Sequence, residues 1–262
     1  MVGLGAGVLD IDAGGNRTCA QFATGAVKCW GQNQYGALGD GTTTDRSAPV
    51  QVTGLLAGVV GIDLGTLHSC AILSSGALKC WGFNWYGQLG DGTDTSRETP
   101  VAVLGLTGVK AVGCGNLHTC AVTVTGTVAC WGKNDMGQLG DGYPAYNAVR
   151  KEPFELTSIK TAVVGLAVGT SQTFAILAGG AVNAWGANNY GQLGIGTDKD
   201  QAWPLAVAGL QNVVQMSSGY VHSCAVHSDG KVSCWGSGAQ GQLGDGTTNN
   251  RLTPVYVKGF GQ

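Results

Sequence analysis

Charged side chains are scarce in this sequence, and neither sign predominates. Its 262 residues include 14 basic and 16 acidic side chains, which give a formal net charge of −2. A chain this close to neutral has no general electrostatic attraction to polyanions. We therefore expect no nucleic-acid partner.

Long apolar segments are also missing. No run approaches the roughly 20 residues that a helix needs to cross a bilayer, and the N-terminus lacks the basic start of a signal peptide. The first absence excludes a helical membrane span. The second means that, for a secreted or cell-surface protein, the signal peptide is absent from this sequence.

The sequence also lacks recognisable catalytic motifs. No Ser-His-Asp set, carboxylate pair or phosphate-binding glycine loop stands out, and we expect no cofactor and no resident metal. One enzymatic alternative stays open, because propellers host active sites assembled from separate blades. The histidines His68, His118 and His222 would then converge.

Glycine and a tandem repeat dominate what is present. The chain has 46 glycines and 6 prolines, and 44% of its residues are hydrophobic. This composition is typical of many short strands joined by tight turns. The dipeptide Trp-Gly recurs at intervals of 50 to 54 residues, beginning at Trp30, Trp81, Trp131, Trp185 and Trp235. Five copies of one unit therefore fill the chain, at about 1–54, 55–105, 106–158, 159–209 and 210–262.

The second copy shows the predicted strands of one unit. Residues 59–64 and 68–73 read as two strands, and the turn 74–76 leads into a third strand at 77–81. A short fourth strand is predicted at 101–103. Three or four antiparallel strands per copy predict an all-β fold, a single β-propeller domain over 1–262 with one blade per roughly 50 residues. A linear solenoid is the alternative.

The repeat resembles a known family. The segments GTLHS (65–69) and WGFNWYGQLGDG (81–92) are similar to the regulator of chromosome condensation repeat, and the similarity recurs in all five copies. That resemblance implies a propeller, commonly of seven blades. Five copies are then either a five-bladed ring or part of a larger ring. It also suggests guanine-nucleotide exchange on a small GTPase as an alternative function.

Eight of the nine cysteines lie ten positions apart in pairs. Both partners are replaced together in the fourth copy, by Phe174 and Ala184, as expected of bonded pairs. We predict the disulfides Cys19–Cys29, Cys70–Cys80, Cys120–Cys130 and Cys224–Cys234, with buried free thiols as the alternative. Disulfides favour an oxidising compartment. Zinc is a weaker alternative, suggested by the spacing of His68 and Cys70, and Cys114 is predicted to be a buried free thiol.

The residues that differ between copies are the candidate binding residues. They lie in the loops after the strand-ending glycines, in an aromatic loop of the second copy, and in an insertion of the third. The candidates are Arg17, Phe83, Trp85, Tyr86, Tyr143, Tyr146 and Tyr220. We expect a non-catalytic scaffold that presents these loops to a protein or a glycan outside the cytoplasm.

Overall fold

A computed structural model describes residues 6–145 and 148–260, and these contain strands and no helix. Twenty strands form five four-stranded antiparallel sheets, each built from one sequence repeat. This confirms the predicted all-β class and the assignment of one blade to each copy. The chain divides into two compact units, one up to residue 124 with 129–133 and 149–154, the other comprising 125–128, 134–148 and the residues from 155 onward.

The first unit holds the first two blades and most of the third. In each of its sheets the strands lie side by side in chain order, and β5 packs beside both β1 and β9. The strands are β1 (Val8–Gly14), β2 (Arg17–Phe22), β3 (Val27–Gly31), β4 (Arg46–Gln51), β5 (Val59–Leu64), β6 (His68–Leu73), β7 (Leu78–Gly82), β8 (Arg97–Ala102), β9 (Val109–Cys114), β10 (His118–Thr123), β11 (Val128–Lys133) and β12 (Val149–Glu155).

The second unit holds the fourth and fifth blades, whose strands follow the same order. Here β17 packs against β13 and β14. The strands are β13 (Val163–Val168), β14 (Gln172–Leu177), β15 (Val182–Gly186), β16 (Gln201–Ala206), β17 (Val213–Ser218), β18 (His222–His227), β19 (Val232–Gly236) and β20 (Arg251–Tyr256).

The fourth strand of the second blade is longer than the sequence predicts. In the second copy it spans Arg97–Ala102 rather than 101–103, and it pairs Cys80 with Val101 and Gly82 with Arg97 across a bulge. Its first residues are polar because the strand is the outer edge of its sheet, where no alternation of apolar residues is needed. The polar residues before Val101 therefore predict a connection where the structure has the start of the strand.

The hairpins of four blades bring two cysteines opposite one another, whereas the fourth blade pairs Phe174 with Ala184. In the second copy the turn contains Gly76 at a φ of +80°, and the strands pair Cys70 with Cys80. The Cα atoms of that pair lie 4.1 Å apart, and the sulfur atoms are bonded. All four predicted disulfides are confirmed, whereas Cys114 is a buried free thiol.

Four of the five tryptophans of the Trp-Gly dipeptides anchor the core, whereas Trp30 of the first copy is half-buried. Trp81, Trp131, Trp185 and Trp235 are at most 1% exposed. Each indole nitrogen donates a hydrogen bond to a backbone carbonyl of the preceding copy, those of Ala37, Gln88, Gln138 and Gln192. A Cβ at Gly90 would lie 2.7 Å from the Trp131 nitrogen, so only glycine fits there. Each tryptophan therefore joins its blade to the one before it.

An ion pair braces the loop between the third and fourth strands. In the first copy Asp40 and Arg46 lie 2.7 Å apart, and Asp91–Arg97 and Asp245–Arg251 repeat this geometry. The other oxygen of Asp40 accepts hydrogen bonds from the backbone and hydroxyl of Thr42. Both carboxylate oxygens of Asp40 are thus used within the loop, which they hold together.

Candidate functional site

Two loops of each blade meet at the same end of its sheet. In the second copy the amide of Phe83, just after β7, donates to the carbonyl of Leu67, in the loop between β5 and β6. The first copy repeats this bond between Gln32 and Asn16. The variable residues after the strand-ending glycines therefore lie beside the loop that follows Trp-Gly.

Four aromatic side chains from two copies form a continuous surface, here termed the aromatic cluster: Tyr35, Phe83, Trp85 and Tyr86. Ring centroids lie 4.7 Å apart for Tyr35 and Phe83, 5.3 Å for Phe83 and Trp85, and 6.3 Å for Phe83 and Tyr86. Phe83 is buried and forms the floor, whereas Trp85 is 67% exposed. These spacings are those of interacting aromatic pairs.

The loop that carries the cluster is held rigidly by the buried side chain of Asn84. Its amide nitrogen donates to Asp91 and to the carbonyls of Thr93 and Thr95, while its oxygen accepts the amide of Leu89. Trp85 lies within a tight turn, which is closed by a hydrogen bond from the Gly87 amide to the Asn84 carbonyl. The backbone beneath the cluster is therefore pre-organised, which lowers the entropic cost of binding.

Charges flank the cluster. The ammonium group of Lys133 lies 5.3 Å from the centre of the Tyr86 ring, within cation–π range. On the neighbouring strand, Lys151 forms a 2.8 Å ion pair with Asp94. An apolar centre with charged groups around it is the usual anatomy of a protein interface.

The remaining aromatic candidates lie in the second unit. Tyr143 is 71% exposed and makes an edge contact with Trp203 at a centroid distance of 6.2 Å. Tyr220 is 74% exposed. Tyr146 lies outside the described residues. Within the first unit the structure brings the candidates Phe83, Trp85 and Tyr86 together.

Arg17 is buried, so it does not lie on the surface, where a residue that contacts a partner must lie. It is 5% exposed, and its guanidinium donates to the carbonyls of Gly65, Thr66 and His68 and to the hydroxyl of Ser69. Burial lowers the pKa of Arg17 to about 10. The side chain therefore ties the first blade to the second and is unavailable to a partner.

Residues at the histidine position hold the loop of the next copy. His68 contacts the Thr119 hydroxyl at 2.8 Å, and in the fourth copy Gln172 donates to Ser218 and to the Gly219 carbonyl. Burial lowers the pKa of both His68 and His118 to about 3, so both are neutral at physiological pH. These contacts support a role as ties between blades.

Known proteins with similar sequences identify the family of this chain. The RCC1-like domain matches residues 2–262, nearly the whole chain. The chain belongs to the RCC1-like domain family. The ultraviolet-B receptor UVR8 of Arabidopsis thaliana is 33% identical over 222 residues, which is 82% of this RCC1-like chain and 50% of the receptor. The human E3 ubiquitin-protein ligase HERC2 is 37% identical over 103 residues, 39% of this chain and 2% of the ligase.

Solved structures share the fold of this RCC1-like chain. Prp20p of Saccharomyces cerevisiae has a TM-score of 0.86 at 22% identity, with 96% of this chain and 63% of that chain covered. Human WBSCR16 has a TM-score of 0.86 at 24% identity, covering 97% of this chain and 67% of the other. The RCC1-like chain thus spans about half of the curated receptor and about two thirds of these structures. Across its described residues, no helix is long and apolar enough to cross a membrane.

Sequence reasoning missed two features of this RCC1-like chain. Tyr35 completes the aromatic cluster from the first copy, and only the packing of neighbouring blades brings it to Phe83. Asp12 and Asp63 accept the backbone amides of Leu64 and Cys114, each in the next copy. Their equivalent spacing in the first two copies is the signal that could have identified them.

Replacing His118 by glutamine, the residue of the fourth copy, is expected to weaken the acid sensitivity of stability. In the unfolded chain His118 gains a proton below its ordinary pKa of 6.5, whereas the folded chain resists protonation down to about 3. Each pH unit in that window therefore costs the wild type about 1.4 kcal/mol that the variant does not lose. Urea unfolding at about pH 7.5 and about pH 5 should differ by about 2 kcal/mol more for the wild type. Parallel pH profiles would show that His118 protonates equally in both states.

Proposed function

We propose that this chain is a non-catalytic binding scaffold whose partner is a protein, bound through the aromatic cluster. The observation that carries the proposal is a mostly exposed Trp85 on a buried Phe83 floor, with two tyrosines beside it. Tryptophan and tyrosine on a desolvated floor are the residues that dominate binding energy at protein interfaces. Phe83 and Trp85 occupy positions that vary between copies, whereas four of the five recurring tryptophans are buried in the core.

Three further features favour a protein over a glycan. The rings are tilted against one another by 43° to 67°, so they do not form the flat platform that a sugar ring stacks on. The backbone is rigid, and charges lie at the rim. The structural neighbour Prp20p is described by its binding to Gsp1p and histones, and it has also been solved bound to Kap60.

We also propose that the protein works outside the cytoplasm, on the cell surface or in secretion. Four disulfides support this location, because reducing compartments keep thiols unpaired. Guanine-nucleotide exchange on an intracellular GTPase, the alternative suggested by the resemblance, would place the same bonds in a reducing environment.

Replacing Trp85 by asparagine, the residue at the same repeat position in the fourth copy, is expected to weaken partner capture strongly. Immobilised wild-type chain, the Trp85→Asn variant and the control Tyr190→Gln are exposed to culture supernatant and solubilised cell envelope. The control changes an exposed tyrosine of the fourth copy to the residue of the fifth. A partner bound through the cluster should be enriched on wild type and control, with enrichment reduced at least about 10-fold on Trp85→Asn.

The other outcomes identify the alternatives. A partner retained equally by Trp85→Asn would place binding elsewhere on the scaffold and contradict the proposal. Trp85-dependent binding on a glycan array, without an enriched protein, would reassign the ligand class. Accelerated nucleotide release from a small GTPase would replace the scaffold function by exchange activity.

A further inference from the structure

One buried cluster outside the aromatic surface combines a free thiol, a disulfide and a histidine. A ring nitrogen of His68 and the sulfur atoms of Cys70 and Cys114 lie within 4.8 Å of one another, and all three residues are buried. Cys70 is bonded to Cys80, so the Cys80 sulfur adjoins this group. Four potential soft-metal ligands therefore converge from two blades.

The hydrogen bonds of His68 fix its tautomer for metal binding. The hydroxyl of Thr119 donates its hydrogen to the Gln88 carbonyl at 2.8 Å. It must therefore accept from His68, whose Nε2 lies 2.8 Å away and carries the proton. The other ring nitrogen, Nδ1, keeps its lone pair and has no hydrogen-bond partner although His68 is fully buried. In metal sites, the ring nitrogen of a ligating histidine that does not bind the metal typically donates its N–H to an oxygen acceptor, as Nε2 of His68 does here.

The cluster is particular to the second and third copies. The position of Cys114 is occupied by Ala13, Leu64, Val168 and Ser218 in the other copies, so only the Cys70–Cys80 pair has this thiol beside it among the repeat equivalents. A generic buried position would be filled by an apolar residue, as most of these copies show. The Asp63 carboxylate accepts the Cys114 amide at 2.6 Å, and the backbone carbonyl of Asp63 accepts the Cys114 thiol at 3.4 Å, a weak hydrogen bond that a metal ion would replace.

We propose that His68, Cys70, Cys80 and Cys114 bind one zinc ion in the reduced chain, and that formation of the Cys70–Cys80 disulfide releases it. One histidine and three thiolates are a standard ligand set of closed structural zinc sites, and separations below 4.8 Å suit the edges of a zinc tetrahedron. Binding displaces the three thiol protons to solvent. The ion would hold two blades together before their disulfide exists.

The redox step is a thiol–disulfide exchange, and the direction that releases zinc needs a disulfide oxidant. The Cys80 thiolate attacks one sulfur of that oxidant and expels a thiolate, and the Cys70 thiolate then attacks the Cys80 sulfur and expels the second thiolate, so the oxidant takes up two electrons.

The reverse direction, which frees the ligands, uses a dithiol as reductant. One reductant thiolate attacks the Cys80 sulfur, the bond to Cys70 breaks, and Cys70 leaves as a thiolate. The second reductant thiolate then attacks the mixed disulfide and releases Cys80. Two electrons pass to the protein, the reductant ends as a cyclic disulfide, and both cysteines become available as ligands.

The test uses the Cys80→Ala variant, which frees Cys70 while the other three disulfides stay oxidised. It keeps the ligands His68, Cys70 and Cys114 and leaves the position of the fourth ligand, Cys80, to water. Alanine occupies the same position in the fourth copy, at Ala184. Metal-free variant is titrated anaerobically with Zn²⁺ and followed by native mass spectrometry, and with Co²⁺ to detect the visible bands of tetrahedral thiolate coordination. We expect one ion per chain. Adding Cys114→Val or His68→Gln should weaken binding at least about 100-fold, whereas adding His118→Gln should leave it unchanged.

Two results would overturn the site: Cys80→Ala that takes up no metal, or equal affinity after Cys114→Val. Should Cys80→Ala not fold, the phosphine-reduced wild type serves instead, with zinc-dependent folding monitored by tryptophan fluorescence. Zinc should then fold the reduced wild type and not reduced Cys114→Val. Identical behaviour of these two chains contradicts the proposal.

Discussion

Reduction of the four disulfides, without added metal, is expected to lower the free energy of unfolding by about 8 kcal/mol or more. Each bond closes a loop with a sequence separation of 10 residues. The chain-entropy model assigns roughly 2–3 kcal/mol to a loop of this size. Since whole domains are typically stable by only about 5–15 kcal/mol, the reduced, metal-free chain should be largely unfolded at about 37 °C.

The measurement is urea unfolding of oxidised and phosphine-reduced protein in the presence of a chelator, with thiols counted in each sample. The oxidised chain should show one thiol, Cys114, and only after unfolding because it is buried. The Cys114→Val variant is the matched control, because it removes a cysteine that is not in a disulfide. An unchanged unfolding midpoint after complete reduction would show that the bonds contribute no net stability.

Replacing Trp185 by alanine is expected to lower the free energy of unfolding by about 4 kcal/mol. Truncation of a fully buried tryptophan removes its apolar contacts and leaves a cavity, at a typical cost of about 3–5 kcal/mol. The indole also donates a hydrogen bond to the Gln138 carbonyl at 3.0 Å. That carbonyl still accepts from the Thr173 hydroxyl, so the loss should come mainly from packing.

Trp85→Ala is the matched control for this experiment, because Trp85 is 67% exposed. It should change stability by less than about 0.5 kcal/mol. Urea unfolding of the two variants separates the two kinds of tryptophan. Equal losses would mean either that Trp85 supports the fold or that Trp185 does not anchor the core.

The repeat explains why so much of the fold could be predicted. Five copies report the same strand pattern, and the joint loss of both cysteines at Phe174 and Ala184 identified the pairs. In the structure Phe174 packs edge-on against Trp235 at 6.0 Å, so an aromatic ring fills the space that a disulfide takes elsewhere. Covariation between copies thus carried information that one copy alone would lack.

The candidate site was harder to predict because it depends on contacts between blades. Arg17 differs from the histidines of other copies and therefore looked functional, yet it replaces the same structural tie with a larger hydrogen-bonding group. Tyr35 looked ordinary because its importance comes from Phe83 in the next copy. Variation between copies identifies candidates, whereas burial decides which of them face solvent.

The most direct test of the binding proposal is the ratio of dissociation constants for the captured partner, measured for Trp85→Asn and for Tyr190→Gln against wild type. We expect the affinity of Trp85→Asn to fall by about 30-fold or more, which corresponds to an interface hot spot of about 2 kcal/mol. The affinity of Tyr190→Gln should change by less than about 3-fold. Equal affinities for Trp85→Asn and wild type would contradict the binding proposal.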